Sequence, residues 1–444
     1  MNAKATNEEH TIRRPERAED EPRYVIGIDA HSKVLAISVW DWSNRLRPEP
    51  VQDFKSVKLD AMATTYRRHI DPDSISIIEA STNSVAIKRE LNELGFRAEI
   101  VRSDTIAGDE CKRKVCDIRD ARNLARAYIK GDVEEFVWAP SEKFSGYRDI
   151  ALAYRDSCKD LKRLSNRMWN ICGQNRLAPP PRASEAKIAY LRGITAEMRP
   201  DDFALRRLKM LTDDYENLLK RREELDRMMA DIVVGDEAMI ALLQLPGINY
   251  KAAFVTWAAV EDPYRFETAA KLAAYGGLSP AINTSGDEEK RALQRGGSGK
   301  PLDPEGRRDL KFFYVEAGLT VLTTCRKTPL GKWGWRRINA GKPQMKIMCA
   351  IGHKLLTYAW HIMRGDPTPN RDGELMFVRK LVRLAGLVGV ERLKALGYEN
   401  RKDFYRKMTD RIYGDLPLAA TDAATPKVEQ PSLPFDGTTL DDVP

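Results

Sequence analysis

The chain has 444 residues, 42% of them hydrophobic and 31% charged, and its formal net charge is +8. This length is typical of two or three domains, each large enough to bury a core. No apolar run is long enough to cross a bilayer and no apolar signal segment opens the sequence, so we expect a protein without a membrane partner.

The charge is unevenly distributed along the chain. Residues 1–22 carry a net charge of −2 and residues 415–444 carry −5, which leaves +15 on residues 23–414. A basic body with acidic ends is typical of proteins that bind a polyanion such as nucleic acid, although an ordinary basic protein can show the same charge. Both end segments are polar and are predicted to be disordered.

The six cysteines and five histidines argue against a zinc site. Cys111 and Cys116 are five positions apart and the sequence has no CxxC pair, so the ligand spacing of structural zinc sites is missing. Reduced thiols are the simpler interpretation, and they are typical of a cytoplasmic protein.

Residues 23–140 alternate apolar strands with amphipathic helices. Strands are predicted at 24–28, 34–41, 50–56, 74–79 and 97–101, and helices at 58–70, 83–94 and 119–130. Three consecutive strands followed by helix, strand, helix, strand and helix predict a mixed α/β sheet with helices on its faces. This is also the order of elements in the ribonuclease H-like fold.

Four carboxylates in this region are candidates for a metal site. Asp29 ends the first strand, Glu79 ends the strand SISIIE, and Asp117 and Asp120 lie on one face at the start of a helix. If they converge at one edge of the sheet, they repel each other unless divalent cations lie between them. Mg²⁺ or Mn²⁺ suits such oxygen ligands, and two ions can promote phosphodiester exchange. Taken singly, each acid is better explained as a turn or helix-cap residue.

Residues 141–232 are predicted to form a helical hairpin or coiled-coil arm. Two long helices fit at 143–177 and 203–232, and the prolines of 178–182 end the first one. Apolar residues recur at helical spacing in the second helix. We expect this arm to mediate dimerisation, and a simple spacer is the alternative.

Residues 233–366 place Gly- and Pro-rich turns between apolar helices. The stretch LLQLPGINYKAAFVTW, at 242–257, predicts two helices joined by a tight turn at Gly247. Such a hairpin can point backbone N–H groups at a phosphate without contacting a base. The alternative is a hairpin that serves only to pack two helices together.

Basic residues crowd the same region, with Trp333 and Trp335 among them. This mixture is typical of a nucleic-acid face that neutralises the backbone and stacks on bases, although singly most of these cations are expected to be ordinary surface residues. The basic residues are Arg291, Arg295, Lys300, Arg307, Arg308, Lys327, Lys332, Arg336, Arg337, Lys342, Lys346 and Lys354. Residues 367–414 are predicted to be a helical extension and 415–444 an acidic disordered tail.

The motifs GIDAHSK, IIEAST and CDIRDARNLA resemble the N-terminal domain of the insertion-sequence family 110 transposases. The resemblance implies a RuvC-like fold in which an Asp, Glu, Asp, Asp set binds metal. Carried over, that set falls on Asp29, Glu79, Asp117 and Asp120. The flanking residues differ, because Val115 and Cys116 stand where the family commonly has Lys-Thr.

The stretches EDPYRFETAAKLAAYGGLSPAINTSG and RRINAGKPQMKIMCAIGHKLL resemble the C-terminal domain of the same family, so the likeness spans about residues 23–365. It implies that Ser285, in the Ser-Gly motif, is the nucleophile, and Gly286 beside it allows close approach of a DNA backbone. Ser298 is the second candidate. Without the resemblance, Ser285 would be one more loop serine. Asn249 departs from the family, which usually has glycine there.

The resemblance implies a recombinase that excises and inserts its own mobile element through a serine–DNA intermediate. The implied partners are double-stranded donor and target DNA, a structured noncoding guide RNA, and further copies of the chain in a dimer or tetramer formed through the arm. A composite active site would then span protomers. We expect the protein in the bacterial cytoplasm, in association with the nucleoid.

Two other functions stay open at this point. A metal-only nuclease or Holliday-junction resolvase would use the four acids and leave Ser285 passive. A DNA-inversion or nucleic-acid-binding accessory protein would have no catalysis of its own. The recombinase leaves a DNA end linked to the protein, whereas the nuclease leaves free ends.

Overall fold

A computed structural model describes residues 21–43, 48–102, 117–133, 135–196, 199, 201–279, 302, 306–366 and 374–414. The chain divides into two compact units, Met1–Ser141 and Glu142–Pro444. Among the described residues, no helix combines the length and the apolar character needed to cross a membrane. The predicted acidic tail and most of the predicted N-terminal tail lie outside the described residues, so both stay predictions.

The first unit is built on a five-stranded mixed sheet. Its strands are β1 (Tyr24–Ala30), β2 (Val34–Asp41), β3 (Pro50–Lys58), β4 (Ser74–Glu79) and β5 (Arg97–Val101). They lie in the order β3-β2-β1-β4-β5, in which β1 runs antiparallel to β2 and parallel to β4. β3 is antiparallel to β2, and β5 is parallel to β4. The mixed sheet predicted from the sequence is therefore present, and the RuvC-like assignment stays a prediction.

Helices cover both faces of this sheet. The helices of the unit are α1 (Met62–His69), α2 (Ser84–Glu93) and α3 (Asp117–Lys130). α1 and α2 share a core with Ile26 and Ile28, whereas α3 packs on the opposite face, where Val25 and Gly27 lie. Because both faces are covered, the central strands are apolar along almost their whole length.

The second unit begins with three helices where the sequence predicted two. They are α4 (Glu142–Gln174), α5 (Ser184–Ala196) and α6 (Phe203–Val234). The two long helices were predicted within three residues at each end, and the helix between them was not predicted. A new helix starts at Ser184, just after the prolines, and buries Leu191 in a core with Met168 and Leu208.

The rest of the second unit is helical. It contains α7 (Glu237–Ala241), α8 (Tyr250–Val260), α9 (Ala269–Tyr275), α10 (Arg308–Thr323), α11 (Pro329–Asn339), α12 (Gln344–Met363), α13 (Glu374–Ala395) and α14 (Arg401–Tyr413). α8 is buried on nearly every side, as a helix rich in alanine and aromatic residues can be. Phe377 and Phe404, from the predicted extension, are fully buried in the same core as Phe254. The extension is therefore part of the packed body of this unit.

Candidate active site

Asp29 and Glu79 lie side by side at the carboxyl ends of two parallel strands. The register pairs Ile28 with Ile78, so the next residue on each strand is the acid. Asp29 is only 5% exposed, whereas Glu79 is half-buried. A buried carboxylate is unfavourable unless a hydrogen bond, a cation or a proton compensates it. One buried and one accessible carboxylate therefore lie next to each other at the carboxyl ends of β1 and β4.

Gly27 lets α3 lie directly against β1. A Cβ atom at this position would be 1.8 Å from the carbonyl oxygen of Ala121 and 3.0 Å from the nitrogen of Ala125. No other residue type fits this gap without a shift of the helix. Since Asp117 and Asp120 form the first turn of α3, this close approach helps to carry both acids to the end of β1 that holds Asp29.

A polar bridge also ties α3 to β3. Arg122 on α3 forms an ion pair with Asp53 on β3, with its Nε 3.1 Å from Oδ2. Ser38 on β2 donates its hydroxyl to the same carboxylate at 2.7 Å. The Arg122 guanidinium and the Ser38 hydroxyl outweigh partial burial, so the pKa of Asp53 is lowered. The helix start is thus fixed by a backbone contact and by a charged bridge.

The electrostatics indicate that the four predicted acids are close together. Burial, followed by the charges of Glu79, Asp117 and Asp120, raises the pKa of Asp29 from 3.8 to about 6, although His31 opposes the shift. The pKa of Asp120 is also raised, first by burial and then by the charges of Glu79 and Asp117. The structure thus gathers carboxylates from β1, β4 and α3 in one region.

His31 belongs to the same cluster, although the sequence analysis did not select it. Its Nε2 lies 3.3 Å from Oδ2 of Asp29 and 3.5 Å from Oδ1 of Asp117, and its side chain is half exposed. The missed signal was simple: residues two apart at the end of a strand point to the same face, so His31 follows Asp29. Oxygen ligands suit Mg²⁺, so the site predicted from the sequence contained only carboxylates.

The donor set fits a divalent cation. One ligand atom from each of Asp29, His31 and Asp117 lies within 4.8 Å of the other two. Burial and, after it, repulsion from the neighbouring carboxylates raise the pKa of Asp29, and a cation held between the carboxylates would remove the repulsion. The residues present are chemically suited to Mg²⁺ or Mn²⁺, and the metal itself stays a prediction.

Several predicted site residues of the second half lie outside the described residues: Ser285, Gly286, Arg291, Arg295, Ser298 and Lys300. The described residues on either side of this segment contact each other. The Arg307 amide donates to the Tyr275 carbonyl at 2.7 Å, and a Cβ at Gly306 would lie 2.1 Å from Cα of Gly277. Arg307 also forms an ion pair with the buried Asp309, and Arg308 begins α10. The role of Ser285 stays a prediction.

The hairpin around Gly247 is packed against the rest of the unit. Gly247 has a φ of 77°, and a Cβ there would lie 2.5 Å from the Ala317 carbonyl oxygen on α10. Lys380 of α13 donates to the Leu243 carbonyl at 2.8 Å and also to that of Leu245. These contacts give the glycine a packing role, which favours the second of the two interpretations of this turn. Phosphate binding by the hairpin stays a prediction.

The predicted basic face contains exposed cations on α11, on α12 and in the turn between them. Lys332, Arg336, Arg337, Lys342 and Lys346 are all exposed. An open cleft of about 840 Å³ is lined by Arg326, Pro329, Lys332, Trp335, Arg336 and Asn339. Trp335 donates its Nε1 proton to Leu322 at 2.8 Å while the Arg326 guanidinium lies over its ring at 4.6 Å. The cleft therefore combines exposed positive charge with an aromatic ring that is held by a hydrogen bond.

The chain is similar to known transposases. Residues 239–300 match the model of the Transposase IS116/IS110/IS902 family. The chain is 22% identical over 359 residues to a Pseudomonas aeruginosa protein named as a family 20 transposase. This alignment covers 76% of the present chain and 93% of that protein. The chain is 25% identical over 307 residues to a Sinorhizobium fredii protein named as transposase y4qE, covering 64% of this chain and 74% of that protein. These similarities support a transposase of the IS110 type.

Proposed function

We propose that this protein is a DNA recombinase of the IS110 type that cuts and rejoins the strands of its own mobile element. The observation that carries the proposal is the gathering of Asp29, Glu79, Asp117 and Asp120 at one sheet edge, in a chain that is similar to transposases. A mixed sheet with helices on both faces is compatible with a RuvC-like first unit.

The four acids are proposed to hold Mg²⁺ or Mn²⁺. A bound divalent cation supplies positive charge at the phosphate and lowers the pKa of an attacking hydroxyl. The chain's own contribution is to fix the ligands: β1 and β4 set Asp29 and Glu79 in register, and Gly27 admits α3 with Asp117 and Asp120. Asp29, being buried, is kept away from bulk water, which strengthens its interaction with a cation.

Ser285 is proposed to be the nucleophile, with Ser298 as the reserve candidate. Both lie in the segment 239–300 that matches the family model. The serine Oγ would attack the phosphorus, forming an Oγ–P bond as the P–O bond to one strand breaks. The serine proton is lost to a base, and the leaving strand gains a proton as its hydroxyl forms. Attack by a strand hydroxyl on the phosphoserine reverses the step, so strands are resealed without an outside energy source.

The proposed nucleic-acid partners are donor and target DNA together with a structured noncoding RNA. The exposed cations on α11 and α12 and the +15 charge of residues 23–414 support a polyanion partner. If RNA pairing selects the DNA, the protein needs only to bind duplex shape and backbone. The three-helix arm is proposed to join protomers in a dimer or tetramer, and DNA binding would place the protein at the nucleoid.

The proposal is tested with a suicide DNA substrate that carries the element junction. The substrate is incubated with Mg²⁺, the protein and total cellular RNA, and a denaturing gel is examined for a covalent protein–DNA adduct. We expect an adduct with the wild-type protein and none with Ser285→Ala. An adduct that persists in this variant moves the nucleophile to Ser298 or a tyrosine. Free cleaved ends without an adduct would instead favour the metal-only nuclease.

A further inference from the structure

We propose that His31 is itself a ligand of the metal held by Asp29, Glu79, Asp117 and Asp120, which together form the acid cluster. We also propose that His31 gives this site a preference for Mn²⁺ over Mg²⁺. The inference rests on the metal site of the proposed function and adds to it one ligand and a metal selectivity. It is carried by the position of the His31 imidazole, which lies between two carboxylates that come from different elements.

The distances around His31 are those of two ligands sharing one cation. Its Nε2 lies 3.3 Å from Asp29 Oδ2 and 3.5 Å from Asp117 Oδ1. A charge-assisted hydrogen bond between a nitrogen and a carboxylate is shorter, about 2.7–2.9 Å. Two ligand atoms each about 2.1 Å from the same metal are about 3.0 Å apart at the right angle of an octahedral site, and farther apart as that angle widens. The Nε2 atom is therefore placed as a co-ligand of both aspartates.

A second histidine in the chain provides an internal comparison. His361 Nδ1 lies 2.8 Å from Oδ2 of Asp366, which is an ordinary hydrogen-bond length. His361 faces a single carboxylate in that contact, whereas His31 lies near two carboxylates and at a longer distance from each. The two contacts are similar in exposure, since both imidazoles are about half exposed. Exposure therefore does not account for the longer distances at His31.

The backbone holds His31 at this position. Its amide donates to the Val34 carbonyl at 3.1 Å, which closes the turn between β1 and β2. Its own carbonyl accepts the Asn83 side-chain amide at 3.1 Å, which ties the turn to the segment that follows Glu79. The backbone of His31 is thus fixed, and its half-exposed ring is more accessible to a cation from solvent than the buried carboxylate of Asp29.

The chemistry of imidazole predicts the selectivity. Mg²⁺ prefers an all-oxygen octahedral site and gives up its water reluctantly, so a nitrogen ligand adds little to its binding. First-row transition metals accept imidazole nitrogen, and Mn²⁺ also accepts the carboxylates that make up the rest of this set. A histidine that served only as a positively charged partner of Asp29 and Asp117 would do the opposite, because it would exclude a cation of either kind.

The test uses the full-length protein and Mn²⁺ as the probe. Pulsed electron paramagnetic resonance detects hyperfine coupling to a nitrogen that is bonded directly to Mn²⁺, and calorimetry measures the Mn²⁺ and Mg²⁺ affinities. We expect nitrogen coupling in the wild-type protein and in the matched control His361→Ala, and none in His31→Ala. The Mn²⁺ affinity of His31→Ala should fall at least about tenfold, because even outer-shell partners of a metal site contribute 10–100-fold. Its Mg²⁺ affinity should change by less than about threefold.

The outcomes separate this inference from the proposed function. If wild type binds Mn²⁺ and Asp29→Asn does not, but His31→Ala retains affinity and spectrum, the metal site stands and the ligand role of His31 is refuted. If wild type binds neither ion, the metal part of the proposed function fails and takes the inference with it. His31→Gln, which keeps a polar side chain, should lose the nitrogen coupling as His31→Ala does. Unchanged circular dichroism in both variants would show that the fold is intact.

Discussion

The acid cluster and the basic face differ in how tightly their side chains are positioned. At the acid cluster, backbones touch, so that Gly27 and Ala121 leave no room for a single methyl group. At the basic face, long cations such as Lys332 and Arg336 extend from exposed positions on α11 into an open cleft. Chemistry on a phosphate needs ligands fixed within a fraction of an ångström, whereas backbone neutralisation needs only enough charge nearby. Mutations should therefore act all-or-none in the first region and gradually in the second.

The largest effect is expected from the substitution Gly27→Ala. The added methyl group would overlap the Ala121 carbonyl, so α3 must move and carry Asp117 and Asp120 with it. We expect the free energy of unfolding to fall by about 3 kcal/mol or more, as in severe overpacking, and Mn²⁺ binding to be lost. Urea unfolding and calorimetry measure both quantities.

Gly146→Ala is the matched control for that substitution. No atom lies within 4 Å of a Cβ at this exposed position of α4, so the same change should stabilise the protein by about 0.5–1 kcal/mol. Equal effects of the two substitutions would contradict the close approach of β1 and α3.

Asp29→Asn should separate activity from stability. The variant keeps the shape of the carboxylate but loses its charge, so strand cleavage should fall at least about 100-fold while nucleic-acid binding is retained. Between pH 3.8 and about 6 the folded state keeps a proton that the unfolded state has lost, so stability falls as the pH rises through this interval. With metal chelated at pH 7, the variant should therefore be more stable than wild type, by about 1–2 kcal/mol.

Cleavage assays and urea unfolding in the presence of a chelator test the Asp29 prediction together. Asp120→Ala should also abolish cleavage. Normal cleavage with Mg²⁺ by either variant would overturn the metal site. A loss of stability in Asp29→Asn would show instead that the carboxylate is satisfied within the protein.

A smaller effect is expected when the bridge to α3 is removed. Arg122→Ala removes the ion pair of the partly buried Asp53 and leaves its hydrogen bond from the Ser38 hydroxyl in place. We expect a loss of about 1–2 kcal/mol in stability, since Arg122 is partly exposed, and a lower cleavage rate at unchanged DNA affinity. Arg163→Ala, which breaks an exposed pair with Asp160, should cost at most about 0.5 kcal/mol and leave cleavage intact. Identical behaviour of the two variants would mean that the bridge does not position α3.

The smallest effects are expected on the basic face. Replacing Lys332, Arg336 and Arg337 together by alanine should weaken binding to DNA of any sequence and should lower the salt dependence by about 0.9 for each lost phosphate contact. Stability should change by less than about 0.5 kcal/mol, because all three side chains are exposed. Affinity measured against salt concentration is the readout. A triple variant of the exposed arm residues Arg207, Lys209 and Arg221 controls for net charge, and an equal effect there would argue against a specific face.

Strand positions were the most predictable part of the fold, because an apolar run such as SISIIE has the length and composition of a buried strand. The gathering of the four acids could also be anticipated, since parallel strands end at one edge of a sheet. What could not be predicted depended on packing at a distance. The fit of Ala121 on Gly27 follows from the angle at which α3 crosses β1, which no local pattern encodes. α5 was missed because the prolines before it suggested a loop.

His31 and the extension illustrate two further limits of the sequence. The alternation rule places His31 beside Asp29, but only the structure brings Asp117 to its other side. For the extension, helical periodicity predicted α13 and α14, yet an amphipathic face does not say which surface it covers. That Phe377 joins the core around Phe254 depends on contacts between residues more than a hundred positions apart.

Lys380 has a practical consequence for anyone shortening this gene. A fragment that stops before α13 would strip Phe377 and Phe404 from the core and leave the Leu243 and Leu245 carbonyls without the ammonium that bonds them. Such a fragment would keep the whole segment matched by the family model. It would nevertheless expose apolar core surface to proteases and chaperones. The minimal working unit of this protein is thus longer than its recognisable motifs, and expression trials should retain residues up to 414.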